Sequence, residues 1–398
     1  MKKEETIKGV EMEGRTFMKK ILILAFFSLL LCLSLSADLL TAYKKGVIKI
    51  VPDPNFGAKT TWDMLFKAGF DKRITFLPDG SFFRTAYMDG KIYKFDTNGD
   101  KVAEFGRKGQ GPGDLNGPVH LDVLDDKYLI IYEDGNRRLS QFDLDGKFIK
   151  TAKIESPWIS MTAPVVSLLA LKDNKIAIVA QDQKSNFWVK NFRVLIKDLG
   201  TGAEKEIASF TDEKPQSPIF IKLGQFDGAV YLAKVGGNKL LIAYSKSPEI
   251  ALYSFDGEKK SSFNIGLERV KIGFDHLEYV QQPEKMDTKE REGYEKVILA
   301  NKDRIRLPEF HPYYLGLTVD PEDHILLLLN NLAKKTRDIA FQAYSLDGKL
   351  LATTKIDPGE YKLLDPSILY FHKYFLYAAL EKTSGDGSQF LARIKIAD

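Results

Sequence analysis

One phrase recurs through this chain: a short aromatic strand, a turn built on Asp and Gly, and a second strand. The copies read KFDTNGDKV (94–102), QFDLDGKFI (141–149), IKDLGTGAEKEI (196–207), YSFDGEKKSSF (253–263) and AYSLDGKLL (343–351). Their turn glycines are Gly99, Gly146, Gly202, Gly257 and Gly348, spaced by 47, 56, 55 and 91 residues. Asp-Gly turns join antiparallel strands because glycine takes up positive φ without steric cost. A second turn precedes each copy: LPDGS (77–81), LDDKY (124–128), LKDNK (171–175), VGGNK (235–239) and DPEDH (320–324). Apolar runs such as YLIIY (128–132), KIAIV (175–179), KLLIAY (239–244) and HILLLL (324–329) flank these turns. Two turns, hence four strands, in each repeat of about 50 residues is the period of a β-propeller blade. No helical pattern alternates with the strands, which argues against a parallel α/β sheet. The 26 Phe and 17 Tyr agree with this reading, because aromatic rings pack well on pleated surfaces.

The inner strands are predicted to begin near Ile74, Val119, Val165, Ala229 and Tyr313. A last copy, 367–396, supplies only three strands, and GVIKIVPD (46–53) is expected to add the fourth. Closing the ring with an N-terminal strand removes the exposed sheet edge. The expectation is an all-β, six-bladed propeller of four-stranded antiparallel blades, a single domain over residues 38–398. Seven blades is the alternative if residues 53–72 hold a further pair of strands. The 91-residue gap exceeds one blade, which predicts a small helical insertion between blades 4 and 5, about 266–312. Its stretch 283–301 is charged, with Met286, Tyr294, Val297, Ile298 and Leu299 available for packing. A lid over the rim and a solvated decoration are both open readings of it.

Residues 1–37 read as an address. Lys19-Lys20 precede the apolar run ILILAFFSLLLCL (21–33), and the small residues Ser34, Ser36 and Ala37 follow. This is the pattern of a secretory signal peptide, and the run is short for a bilayer span of about 20 residues. Four acidic residues among the first 17 suit such a signal badly, so the natural start is expected near Met18. A periplasmic or secreted protein without a membrane span in its mature chain follows. The one cysteine, Cys32, falls inside the apolar run behind Leu31. A lipoprotein signal needs a small residue there, which argues against lipidation. The mature chain then has no disulfide and no thiol nucleophile. The formal charge of the whole chain is +4, and losing residues 1–37 leaves +2. Neither value points to nucleic acid.

Blade 2 carries a pattern specific enough to compare. Residues 105–149 contain Gly106, Gly109, Gly111, Pro112, Gly113 and Asp114, then Asp134, Asn136, Arg137, Phe142, Asp143, Gly146 and Lys147. This resembles an NHL-type repeat, and more closely the bacterial 6-bladed β-propeller family of exported proteins. Blades 1, 4 and 5 carry the second half only, and blades 3 and 6 depart from the pattern. The resemblance implies a fold and an exported location. It implies no particular reaction, because fold alone does not give function.

The A–B and C–D turns are short, whereas the D–A connections are long: 106–118, 155–164, 211–228, 266–312 and 357–366. Long loops on one rim are where binding resides, so the site is expected on the D–A/B–C face over the central channel. Arg107, Lys108 and Gln110 are candidates in the glycine-rich loop. That loop is no P-loop, since no Gly-Lys-Ser/Thr follows, and its glycines read more simply as letting the chain pass between blades. Asp134, Asn136 and Arg137 lie in a B–C connection, with Arg138 beside them. They suit local turn bonds and a bridge from Arg137 to a neighbouring blade, or an anionic ligand held by bidentate bonds. Trp158, Tyr313 and Tyr314 suit inter-blade packing, or stacking on a sugar or peptide.

Of the five histidines, only His120 and His311 suit the channel; His324 and His372 fall by A–B turns, on the other face. No HExxH or close His pair occurs. No cofactor is predicted, and calcium or zinc stays an open alternative. No Gly-x-Ser-x-Gly elbow is present either. The function expected is binding of a ligand, protein or carbohydrate on the loop face, with no recognisable catalytic set. The alternative is a metal-dependent propeller enzyme, a lyase or hydrolase, with its site in the central channel.

Overall fold

The computed structural model describes residues 38–60, 74–154, 164–182, 189–217, 221–222, 226–274, 277–279, 288–329, 339–364, 369–384 and 387–396. The expected signal peptide with Cys32, and the candidate Trp158, lie outside them. So do Met286 and most of the stretch that left seven blades open.

Six blades form a ring. Blade 1 is β2 (Ile74–Phe76), β3 (Phe82–Ala86), β4 (Lys91–Phe95) and β5 (Lys101–Phe105). Blade 2 is β6 (Pro118–Leu124), β7 (Tyr128–Glu133), β8 (Arg138–Asp143) and β9 (Phe148–Lys153). Blade 3 is β10 (Val165–Ala170), β11 (Lys175–Gln181), β12 (Val189–Asp198) and β13 (Glu204–Glu213). Blade 4 is β15 (Val230–Val235), β16 (Lys239–Tyr244), β17 (Glu249–Ser254) and β18 (Lys259–Asn264). Blade 5 is β20 (Tyr314–Val319), β21 (Ile325–Leu329), β22 (Ile339–Tyr344) and β23 (Leu350–Asp357). Blade 6 has β26 (Phe375–Lys382) and β27 (Gln389–Lys395), while two short segments, β24 (Tyr361–Leu363) and β25 (Leu369–His372), share the inner edge of β26. Every pairing among these strands is antiparallel.

The second strand of each blade is buried on both faces because neighbouring blades cover it from each side. One buried cluster fills each gap. Leu77, Phe83 and Ile92 of blade 1 meet Leu121, Leu129 and Ile131 of blade 2. The same arrangement recurs between blades 2 and 3, 3 and 4, 4 and 5, and 5 and 6. Outer strands such as β5 and β18 are exposed. The first residue of each turn phrase holds its turn from within. Asp143 Oδ1 accepts the amides of Asp145 (3.1 Å) and Lys147 (2.8 Å), and Ser345 Oγ accepts that of Lys349 (3.1 Å).

Closure differs in detail from the expectation. The N-terminal strand β1 (Val47–Lys49) does not serve wholly as the fourth strand of blade 6. It lies parallel against β23 as a fifth strand of blade 5, and only then does Pro52 bridge antiparallel to Ile394 of β27. The cause is the preceding helix α1 (Leu39–Lys44). Its Leu39, Ala42 and Tyr43 are buried with Ile48, Ile50, Phe341 and Ile356. The Tyr43 hydroxyl donates to Asp320 (2.9 Å), so the chain enters beside blade 5. Farther on, Phe56 joins Phe82 and Phe95 of blade 1 and Tyr377 and Leu391 of blade 6. Arg393 of β27 pairs with Asp53 (2.6 Å) and donates to the Thr97 carbonyl of blade 1 (2.7 Å).

The insertion between blades 4 and 5 contains the expected helix, α2 (Thr288–Ala300). Ile298 is buried, whereas Val297 and Leu299 are exposed.

Candidate functional site

The inner strands are tied to one another by polar side chains. Asp122 accepts the Thr75 hydroxyl of blade 1 (2.7 Å) and the Ala170 amide of blade 3 (2.8 Å). Lys234 of blade 4 lies 3.6 Å from the same carboxylate, at the turn-face end of the inner strands. His120, 4% exposed, sits at 3.0 Å from the Val165 carbonyl and stacks on Tyr132. It joins blades 2 and 3 and does not open to the channel as expected. The Tyr231 hydroxyl donates to the Leu315 carbonyl, joining blades 4 and 5 (2.5 Å).

The glycine-rich loop of blade 2 is a braced element. Glu133 is wholly buried, and its carboxylate accepts Arg138 Nε (2.9 Å), the Asn116 amide (2.9 Å), Asn136 Nδ2 (2.6 Å) and the Ser140 hydroxyl. The Arg138 guanidinium also donates to the carbonyls of Gln110, Gly111 and Asp114. It is Arg138, directly opposite Glu133 in the hairpin register, that makes these bonds, and they stay within blade 2 and its entering loop. Arg137 itself is exposed with φ +48°. Burial pushes the Tyr132 phenol up to about 12, and Asp134 adds to the rise. Arg107 is 81% exposed at its side chain, and its Nε lies 2.5 Å from Asp114. Among the blade 2 candidates, Lys108, Gln110, Asp134 and Arg137 face solvent.

The other candidates fall around blades 4 and 5. His311 is 1% exposed, with its ring against Phe226. Tyr314 is fully buried beside Tyr231. Tyr313 is half-buried, its amide donates to the Ser245 carbonyl (2.7 Å), and the Arg269 guanidinium lies over its ring.

Here two long D–A connections build a cap on the loop face. Gln216 and Arg306 exchange backbone hydrogen bonds (2.7 and 2.9 Å). The short strand β14 (Ile221–Lys222) pairs with β19 (Glu278–Tyr279). Phe226, Leu277, Ile298 and Ile305 form a buried core of their own, separate from the six between blades.

A polar cluster that the sequence reading missed adjoins this cap. In the β12–β13 hairpin Lys190 stands opposite Asp212, and Lys214 follows just past the end of β13. From blade 4 they meet Asp227, Gly228, Tyr244 and Lys246. Lys190 pairs with Asp227 (2.9 Å). Asp212, wholly buried at its side chain, pairs with Lys246 and accepts the Gly228 amide (2.9 Å) and the Tyr244 hydroxyl (3.1 Å). Burial, reinforced by Asp212, raises the Tyr244 phenol, and Arg269 acts on it in the opposite sense. Burial, and then the neighbouring Lys190, holds the Lys214 ammonium below its ordinary range. Among the described residues Lys214 has no carboxylate ion pair. No three His, Cys, Asp or Glu side chains gather as metal ligands among the described residues. Among those residues, too, no helix is long and apolar enough to cross a membrane.

Six four-stranded blades around polar-stapled inner strands, with loops massed on one face, define a six-bladed β-propeller. The chain belongs to the family described as 6-bladed beta-propeller, whose model matches residues 71–362. No curated protein matches it by sequence. Solved structures of similar fold include a Bacteroides fragilis protein described as exported, at 13% identity and TM-score 0.49, covering 89% of this chain and 99% of that one. Regucalcin, a calcium-binding protein of Agrobacterium tumefaciens, is 12% identical with TM-score 0.44, covering 88% and 96%. Virginiamycin B lyase of Staphylococcus aureus is 11% identical with TM-score 0.41, covering 83% and 86%.

Proposed function

We propose that this protein is an exported binding propeller that takes its ligand on the loop face, beside the cap of blades 3 to 5. One observation carries the reading: the connections 211–228 and 266–312 pair with each other and share their own buried core next to Lys190, Lys214, Lys246 and Arg269. A merely solvated decoration has no need of a core of its own. The exposed rings of Phe274 and the half-buried Tyr313 add stacking surface at the same rim. The export step rests on the apolar run 21–33 behind Lys19-Lys20.

The test is a binding screen of sugars and peptides on the purified chain, repeated with Arg269→Ala and Tyr313→Ala on the loop face and Lys234→Met at the turn-face end. Loss of binding in the first two with retention in the third supports the reading. Loss only in Lys234→Met overturns it.

A further inference from the structure

Arg269 is exposed, and its guanidinium lies over two rings at once, 4.3 Å from the centre of Phe310 and 5.6 Å from that of Tyr313. The backbone fixes both contacts. Lys271 bridges antiparallel to Phe310, the Ile272 amide donates to the Glu309 carbonyl (3.0 Å), and the His311 amide donates to the Val270 carbonyl (2.9 Å). The Tyr313 amide donates to the Ser245 carbonyl (2.7 Å), which ties that ring to blade 4. Rings against its faces hold a guanidinium in place and leave its N–H edge uncovered. Among the described residues that edge makes no hydrogen bond and no ion pair. The Glu309 carboxylate, in the same ladder, lies 4.0 Å from Lys271 instead. Arg393 shows what such a seat does elsewhere in this chain. Its guanidinium also lies over two rings, Phe56 (4.9 Å) and Phe375 (5.1 Å), and its N–H groups hold the Asp53 carboxylate (2.6 Å) and the Thr97 carbonyl (2.7 Å). Arg269 has the same kind of seat on the loop face, and among the described residues no carboxylate of this chain takes it.

We infer that Arg269, braced on Phe310 and Tyr313, takes the carboxylate of an acidic ligand through paired N–H···O bonds. A planar guanidinium fork matches a planar carboxylate in bidentate fashion, which a lysine ammonium does not. The two half-buried rings add apolar surface beside the charge, where the body that bears the carboxylate can rest. A peptide C-terminus and a uronic acid share this chemistry. The inference deepens the loop-face reading and rests on it for the rest of the ligand.

The experiment is calorimetric titration of the purified chain with N-acetyl-trialanine and with glucuronate. Each is run against a form without the charge, the peptide amide and the glucuronate methyl ester. Saturable binding is expected for at least one of the two acids, and binding about tenfold weaker for its uncharged form. Arg269→Lys keeps the charge and loses the fork, and is expected to weaken binding of the acid about tenfold. Lys150→Gln, on the exposed outer strand of blade 2, is expected to bind as the wild type does. Tighter binding of the peptide identifies a C-terminal carboxylate and tighter binding of glucuronate an acidic sugar; either supports the site. No saturable binding of either acid overturns it. So does equal affinity for an acid and its uncharged form, unchanged affinity in Arg269→Lys, or an equal loss in Lys150→Gln. If uncharged ligands bind, and Tyr313→Ala abolishes that binding while Arg269→Lys does not, this inference fails alone and the loop-face reading stands. If the acids bind and only Lys234→Met abolishes it, both fail.

Discussion

Phe105, at the end of β5, lies so close to the turn of the next blade that a Cβ on Gly146 would stand 2.5 Å from its ring. The same relation holds between Phe263 of blade 4 and Gly348 of blade 5. The recurring turn glycine thus serves two ends: it accepts positive φ, and it leaves room for the outer strand of the preceding blade.

Gly202 separates these two contributions. It has φ +78°, close to the +88° of Gly146, yet no atom lies within 4 Å of its would-be Cβ. Gly202→Ala is expected to cost about 1–2 kcal/mol from the backbone alone. Gly146→Ala is expected to cost about 3 kcal/mol or more, because Phe105 must move. Urea unfolding of the two variants measures the difference, and equal losses would exclude the packing role.

Glu133→Ala is expected to destabilise by about 3–5 kcal/mol, since it leaves the Arg138 guanidinium without its buried partner. Limited proteolysis should then open the 106–115 loop first, because Arg138 holds three of its carbonyls. Cleavage elsewhere before that loop would show that the bracing is not local.

Asp122 joins blades 1, 2 and 3 through short hydrogen bonds. Asp122→Ala is expected to cost about 2–3 kcal/mol from the donors it strands. Lys234 is 43% exposed and stands 3.6 Å away, so Lys234→Met is expected to cost less than about 1 kcal/mol. Calorimetric melting of both variants ranks them, and the reverse order would place the weight on the ion pair.

His372 is held below its ordinary value of 6.5 by burial first and then by Lys373, and its ring stacks on Phe76. The unfolded imidazole therefore takes up its proton at higher pH than the folded one. The unfolded state binds more protons as the pH falls through 6.5, so the stability this group contributes is lost on acidification. His372→Phe keeps the stack and removes the titration. Its Tm relative to wild type is expected to rise between about pH 8 and pH 5. A constant difference across that range would assign the pH dependence to other groups.

Blade starts were legible because each is announced by local turn chemistry. Ile74 and Val165 begin β2 and β10 as expected, and Pro118, Val230 and Tyr314 stand one residue from the expected positions. The Glu133–Arg138 pair was also within reach, since the two residues flank a four-residue connection and must oppose each other; counting the register points to Arg138 and away from Arg137. The cluster at Lys190, Lys214 and Lys246 was not. Its members come from two blades, and nothing in the spacing of three lysines says that Asp212 and Asp227 will stand between them. Closure was legible only in outline, because the side of the ring on which the N-terminus enters is decided by the packing of Tyr43 and Leu39 on blade 5.

That entry sets an order of events. Val47 pairs with Lys355, and Pro52 with Ile394, so this early stretch waits for strands about 300 residues further on to arrive. A ribosome delivers β1 long before β23 and β27 exist. Blades 1 to 4 can take shape as they emerge, each against the one before. The seam is sewn only after β27 has emerged, and its long loop closure makes it the slow step of assembly.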